Sequence, residues 1–446
     1  MRDSNILLDQ FKRTPRFYEY HYDRTCPSLS ARPDSWQVRA VHANNRIADQ
    51  PQIDVLRYKR LRRIWTFTCC GGVGVKPIVN GERVYFLSGG GYAYCVNKRS
   101  GRLLWKRMIA LGREAELKDF AGPGITLGDC WYVARRGLGG GGLLACLNLH
   151  TGCLHWQITL PEGVDPVGVQ ADGENVYLLA NGVDSAQQTG IYAYTQAQGQ
   201  ALWSLAVAGS GNLHEATLGA TAALLLKDRR LYVSVHKRRG WRRSEEVVAA
   251  DLSSGSLLWK YGTRVCESEP VLAGGVPALF KISGKVMVGA PLQDGFYYCF
   301  EADTGKIRWH TRLELGPFPA GNGWQADAAS IGGGKIIITA RQLSGREVIQ
   351  QKMLALEIHS GRQLWRTRSP FAGYSSGVLC NDLFVWADQK GVLRGCDSQN
   401  GGALKRSFVN GGEVAADITA QGDCLYVGAL DPAASGTPGL TAWQVE

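Results

Sequence analysis

The sequence predicts an all-β chain that closes into a ring of eight four-stranded blades, a β-propeller whose N-terminal strand completes the last blade. Three observations predict it. A glycine four residues ahead of a tryptophan recurs along the 446 residues, and a β-branched, aromatic segment precedes each copy. Glycine is abundant, at 56 residues, with no collagen period, which points to many tight turns between short strands.

The repeat reads "YCVNKRSGRLLW" to Trp105, "ACLNLHTGCLHW" to Trp156 and "AYTQAQGQALW" to Trp203. It continues with "AADLSSGSLLW" to Trp259, "CFEADTGKIRW" to Trp309 and "ALEIHSGRQLW" to Trp365. A seventh copy, "GCDSQNGGALK", carries Lys405 in the tryptophan position. Gly101, Gly152, Gly199, Gly255, Gly305, Gly361 and Gly401 stand in register, as a tight turn between two strands requires. The strands upstream are "RVYFL", "CWYVA", "NVYLL", "LYVSV", "VMVGA", "IIITA" and "LFVWA", with an eighth, "CLYVGA", at 424–429. The tryptophans lie 40 to 56 residues apart, the length of a four-stranded blade.

The eighth unit stops after "GLTAWQVE", one strand short. The missing strand is available at the other end, as "LRRIWTF" around Trp65, and pairing it with the last three strands leaves no open edge. The propeller then occupies residues 57–446, with 1–56 as an N-terminal extension. Within the extension, "RFYEYHYDRTCP" alternates Tyr18, Tyr20 and Tyr22 as a strand does, which suits a packing strand or an arm capping one mouth.

Hydrophobic residues make up 45% and charged residues 20%, the composition of a soluble globular chain. No run of about 18 apolar residues is present, so no membrane span is expected. The N-terminal stretch has no apolar core or small-residue cleavage site, so the expected location is the cytoplasm, with the 12 cysteines mostly reduced. A formal charge of +11 favours an anionic partner without naming one.

The pattern Ala-x-Asp-x-x-Thr-Gly-x-x-x-Trp resembles the tryptophan-docking repeat of the pyrroloquinoline-quinone-type propellers, over roughly residues 57–446. That superfamily includes quinoprotein alcohol dehydrogenases and an outer-membrane assembly propeller. The resemblance implies the fold and says little of the activity, which has to be argued from a site.

Cys95, Cys146 and Cys299 stand ten residues before their tryptophans, where other copies place Ala193, Ala249 and Ala355. Cysteine that alternates with alanine is a small buried hydrophobe. Cys130 and Cys424 share a second register, and no cysteine or histidine pair has zinc-site spacing, so no metal site is predicted. Cys69 and Cys70 fall outside the register, on the connection from blade 8 to blade 1. The resemblance implies one role for such a pair, a disulfide lid over a quinone beside calcium; the other reading is two loop thiols lining a site.

Chemistry is expected at one mouth of the axial channel, on loops that enter the inner strands and on B–C turns. Ahead of blade 4 lie His214 and Glu215, and ahead of blade 5 Glu267 and Glu269. Ahead of blade 6 lie Asn322, Trp324 and Asp327, and ahead of blade 7 Tyr374; Glu413 and Asp417 precede blade 8. Neighbouring blades would bring His214, Glu215, Glu269 and Asp327 together for proton transfer, since a carboxylate orients an imidazole that titrates near neutrality. Trp324 would stack on a flat ligand, with Asn322, Tyr374, Cys69, Cys70, Glu267 and Arg238 as further binding groups.

Two stretches invite other readings. "GLGGGG" at 137–142 fits a dinucleotide glycine pattern but opens no helix, so it is set aside. "HKRRGWRRSEE" at 236–246 is a basic B–C loop suited to an acidic protein or a phosphorylated ligand. The leading expectation is a cofactor-free enzyme acting on a small molecule by acid–base chemistry, of lyase, cyclase or hydrolase type. The alternatives are a scaffold that binds a protein or anionic partner and a quinone- and calcium-dependent dehydrogenase. Membrane and nucleic-acid partners are not expected.

Overall fold

The computed structural model describes residues 48, 50–109, 117–137, 141–182, 189–208, 211–213, 222–225, 229–239, 242–265, 272–273, 275–292, 294–313, 315, 324–326, 329–344, 347–369, 373, 375–410, 412–414, 417–430 and 439–446. They form eight sheets arranged blade by blade, each running from an inner strand A to an outer strand D and antiparallel throughout except where Leu272–Ala273 pairs parallel with Trp324–Ala326 of blade 6. Blade 1 is typical: Ile78–Asn80, Arg83–Leu87, Tyr92–Asn97 and Leu103–Met108 are strands A to D. In blade 8, Thr419–Gln421, Cys424–Ala429 and Gly439–Val445 come from the C-terminal end and Leu61–Thr68 from the N-terminal end, as predicted. The only described helix, α1, is one turn, Val55–Tyr58, capped by the Asp54 carboxylate accepting from Arg57 N.

The repeat has a direct physical meaning. Each predicted turn glycine has positive φ, from 65° at Gly255 to 74° at Gly401. A Cβ there would strike the indole of the preceding blade: Trp65 lies on Gly101, Trp105 on Gly152, and so on to Trp365 on Gly401. Trp65, Trp105, Trp156, Trp259, Trp309 and Trp365 also donate from Nε1 to a carbonyl of the same turn, at 2.8 to 3.2 Å. Across the ladder from each indole sits a small residue, with Cys95 opposite Trp105, Cys146 opposite Trp156 and Cys299 opposite Trp309. All three are fully buried, so the packing role of these thiols holds.

Lys405 now has a reason. Every indole rests on the C–D turn of the next blade, but in blade 8 strands C and D come from opposite chain ends and no such turn exists. A tryptophan at 405 would have nothing to dock on. Residues 48–58 close that seam instead. Ala48 N donates to Leu379 O on blade 7, Gln52 N to Gly422 O on blade 8, and Val55 N to the Asp382 carboxylate. Ile53 and Tyr58 are buried in the core between the two blades, where Tyr58 meets Phe408 edge-on at 5.3 Å. The part of the predicted extension that is described is therefore a packing arm.

Candidate functional site

Two kinds of connection share one end of the ring. The D–A connection from blade 8 to blade 1, Cys69–Gly72, lies directly on the B–C turn of blade 1, Ser88–Gly91. Gly89 N donates to Gly72 O at 3.1 Å and Gly90 N to Cys70 O at 3.2 Å. A Cβ on Gly71 would sit 2.4 Å from Gly90 N, and one on Gly89 2.6 Å from Gly71 O, so this contact requires bare backbone on both sides. The glycine run after the cysteine pair thus serves a backbone-to-backbone contact at the mouth.

That contact separates the two thiols. Cys69 is buried among Val73, Phe86 and Tyr94, and burial, with Cys70 beside it, pushes its thiol up to about 12. Cys70 is exposed, and both are free. Only Cys70 presents a thiol to solvent. Among the described residues no three His, Cys, Asp or Glu side chains come together to hold a metal, and the thiols differ in exposure.

Of the other predicted site residues, His214, Glu215, Glu267, Glu269, Asn322, Asp327 and Tyr374 lie outside the described residues. Arg238 sits on strand B of blade 4, Arg230–Arg239, opposite Arg243 on strand C, Arg242–Asp251. The basic loop is therefore the tip of a tight hairpin. Trp324 is a correction: it is 1% exposed, inside the core between blades 5 and 6, with the Lys352 ammonium 5.0 Å from its ring centroid. Both faces are occupied by packing, which leaves no surface for stacking a ligand. Glycines flanking a tryptophan in the sequence cannot distinguish a stacking platform from a core anchor.

The structure adds a set of buried charges at this end that sequence reading had not singled out, apart from Asp417. Arg135, on strand B of blade 2, Cys130–Gly137, faces blade 1; it donates to Ile109 O at 2.5 Å and lies 5.2 Å from the Phe120 ring. Its guanidinium would be 2.7 Å from a Cβ on Gly91, so a glycine turn makes room for it. Glu245, on strand C of blade 4, shares the face of Val247 and Ala249 that packs on blade 5, and is fully buried. Asp417, before blade 8, is 2% exposed and accepts from Ser376 N at 3.0 Å.

The densest group lies between blades 6 and 7. Blade 6 has strand A in two pieces, Trp324–Ala326 and Ser330–Gly332, then Lys335–Ser344, Glu347–Glu357 and Gln363–Ser369. One row across it reads Gln325, Arg341, Gln351, Ser369. It lies on the same face as Ile337, Met353, Ala355 and Trp365, which pack against Phe384 and Trp386 of blade 7. Arg341 and Gln351 are fully buried. Gly373 N donates to Gln351 Oε1 at 2.9 Å, and Arg341 donates to Gly373 O at 3.4 Å. A Cβ on Gly373 would be 2.1 Å from Ala387 O, so the connection to blade 7 runs flat between the two blades. Buried ionisable groups are costly in a fold and collect at functional sites. The signal was present in "ITARQ" and "IQQKM", polar residues where neighbouring blades are apolar, but only blade pairing makes them one cluster.

A family model described as outer membrane protein assembly factor BamB matches residues 90–267 and 243–426. A curated relative, tetrathionate hydrolase of Acidithiobacillus ferrooxidans, is 24% identical over 266 residues, 58% of this chain; the chain spans 48% of that protein's length. Among solved structures, a quinohemoprotein alcohol dehydrogenase from Pseudomonas putida HK5 superposes with TM-score 0.69 at 13% identity, over 90% of this chain and 78% of that one. That of Comamonas testosteroni gives 0.67 at 15%, over 90% and 79%. BamB from Moraxella catarrhalis gives 0.57 at 14%, over 86% and 99%. At these identities the likeness shows the fold alone.

Proposed function

The chain belongs to the outer membrane protein assembly factor BamB family of PQQ-like propellers, and from that premise we propose that it is a small-molecule enzyme of hydrolase type working at the D–A mouth. The observation that carries the reading is the set of buried polar and charged groups at this end, Arg341 with the amide of Gln351 and, towards blade 8, Asp417 above all, where a purely structural blade junction would be apolar. The tetrathionate hydrolase relative supports both the reaction type and a small anionic substrate. Hydrolysis needs a group to take a proton from water and a group to give one to the leaving atom. His214, Glu215, Glu269 and Asp327 are the residue types for that work, on loops that the sequence expects at this mouth. Buried guanidinium groups stabilise developing negative charge in a site that water does not screen.

The test is direct. Purified protein is incubated with tetrathionate and related small anions, and substrate loss is followed by ion chromatography. Turnover that disappears in His214→Ala and Asp327→Ala, with unfolding midpoints unchanged, supports the reading. Wild-type rates in both variants, or no turnover of any small anion, would sink it.

One observation favours a second reading. Arg238 pairs with Arg243 and Arg239 with Arg242 at the tip of the blade 4 hairpin, a basic edge suited to an acidic protein partner. Alanine at these four arginines would then abolish partner capture and leave turnover untouched.

A further inference from the structure

We propose that the outer edge of blade 7, where residues 48–58 close the ring, is an attachment face for an anionic lipid surface. The face belongs to the rim of the ring and not to the mouth, and it does not rest on the hydrolase reading.

The fold leaves two aliphatic side chains in water here. Leu56 is 74% exposed and Val409 66%, and no other large apolar side chain among the described residues exceeds 48%. The two share one neighbourhood: Leu56 stands two residues before Tyr58 and Val409 one after Phe408, and those buried rings meet at 5.3 Å. Tyr58 donates to Leu393 O on strand C of blade 7, Val392–Asp397, at 3.2 Å, which fixes α1 against the blade. The face is therefore preformed, with its anchors inward and its aliphatics outward.

Cations surround the aliphatics. Arg57, Lys59, Arg60 and Arg63 follow Leu56 and are exposed, and Lys405 and Arg406 precede Val409 on the segment that lacks a docking tryptophan. Neither 55–68 nor 402–409 contains an Asp or Glu. The acids at the margin are engaged: the Asp54 carboxylate accepts from Arg57 N at 2.7 Å, the Asp382 carboxylate from Val55 N at 3.1 Å, and Glu446 pairs with Arg62 at 2.8 Å. Such a face complements a headgroup surface, where charge draws the cations to anionic lipid and the aliphatics enter the headgroup boundary. Long cationic side chains cover apolar surface while their heads stay wet, as the Arg406 guanidinium does 5.2 Å from the Phe408 ring centroid.

Neither edge protection nor a partner strand accounts for these residues. Cations guard a sheet edge, but a guarded edge does not keep the two most exposed aliphatics beside them. A partner strand needs a free edge to pair along, and strand D of blade 7 is only Phe408–Val409. The absence of a spanning run from the sequence does not bear on a headgroup contact, which needs no span.

The experiment is co-sedimentation of the full chain with sucrose-loaded vesicles of phosphatidylglycerol in phosphatidylcholine, against phosphatidylcholine alone. Wild type is expected to partition to the anionic vesicles at least about tenfold more strongly, and to lose that preference as salt screens the charges. Lys59→Ala with Arg60→Ala is expected to lose about 25-fold, about fivefold for each cation. Leu56→Gln with Val409→Thr keeps the charge and is expected to lose about tenfold with the salt dependence unchanged. These side chains are exposed, so unfolding midpoints are expected to hold. Equal partition to both vesicles, or wild-type partition in both sets of variants, would overturn the face. Alanine at Arg238, Arg239, Arg242 and Arg243 is expected to leave partition unchanged; a loss there moves the contact to blade 4 and overturns it as well. Binding to poly-L-glutamate without binding to anionic vesicles makes the face an acidic-protein site and refutes the lipid reading. No arm reads turnover, so failure of the hydrolase reading and failure of this face are separate results.

Discussion

Gly152→Ala tests whether the repeat glycines serve the turn alone or also dock the neighbouring indole. Gly152 has φ +72°, and an added Cβ would be 2.5 Å from Trp105 Cε3. Gly81, in the A–B turn of blade 1, has φ +59° with nothing within 4 Å of its would-be Cβ. Alanine at either position carries the left-handed strain, about 1–2 kcal/mol. At Gly152 the Trp105 indole must also move, which forfeits its 2.9 Å bond to Leu149 O, worth about 1 kcal/mol. Forcing a buried side chain out of its packing adds about 1–3 kcal/mol. The excess of Gly152→Ala over Gly81→Ala is therefore about 2–4 kcal/mol. With about 2.1 cal/mol/K of unfolding entropy per residue over 446 residues, that excess is about 2–4 °C in Tm if the ring unfolds as one unit. Differential scanning calorimetry of the two variants reads it. Equal losses for both glycines would refute docking as the reason for the repeat.

Three further outcomes follow from the same packing. Tyr58→Ala removes the buried ring that seals blades 7 and 8 and is expected to destabilise by about 3–5 kcal/mol in urea unfolding, as loss of a core aromatic does, whereas Lys405→Trp gains nothing. At pH 8, iodoacetamide should label Cys70 rapidly and Cys69 only in denaturant, read by peptide mass mapping; equal rates would show that the two environments are wrongly assigned. Burial raises the Cys95 thiol to about 11 and the Cys380 and Cys396 thiols to about 12, while in the unfolded chain they ionise near 8.5. The unfolded state therefore binds fewer protons in between, and stability falls as pH rises from about 9 toward 11, by about 1.4 kcal/mol per unit per group. A urea midpoint that holds constant from pH 8 to 10.5 would contradict this.

The ring was legible in the sequence because its determinants are local and repeated. The turn glycine, the small residue ten positions before each tryptophan and the strand between them are fixed by one hairpin, so each copy reports on the same geometry. The exception, Lys405, stands out in the sequence, but its reason comes only with the closed ring, where strands C and D of the next blade have no turn between them. The mouth follows a different logic. Arg341 and Gln351 are ten residues apart in sequence, yet their roles depend on Gly373 in the next connection and Trp386 in the next blade, and no repeat register relates those positions.

Trp324 shows the same limit from the other side. Its flanking glycines suggested an exposed platform, but Leu272 of the chain ahead of blade 5 pairs alongside it and Lys352 lies over its ring, contacts supplied by segments distant in sequence. Identity between repeats specifies a scaffold, and what differs from blade to blade specifies a site. The hairpins of blades 4 and 6 extend the row four residues past the docking position into polar pairs, His236 opposite Glu245 and Arg341 opposite Gln351. The candidate chemistry of this propeller sits where the repeat stops repeating, and the two extended hairpins are where substitutions should separate activity from stability.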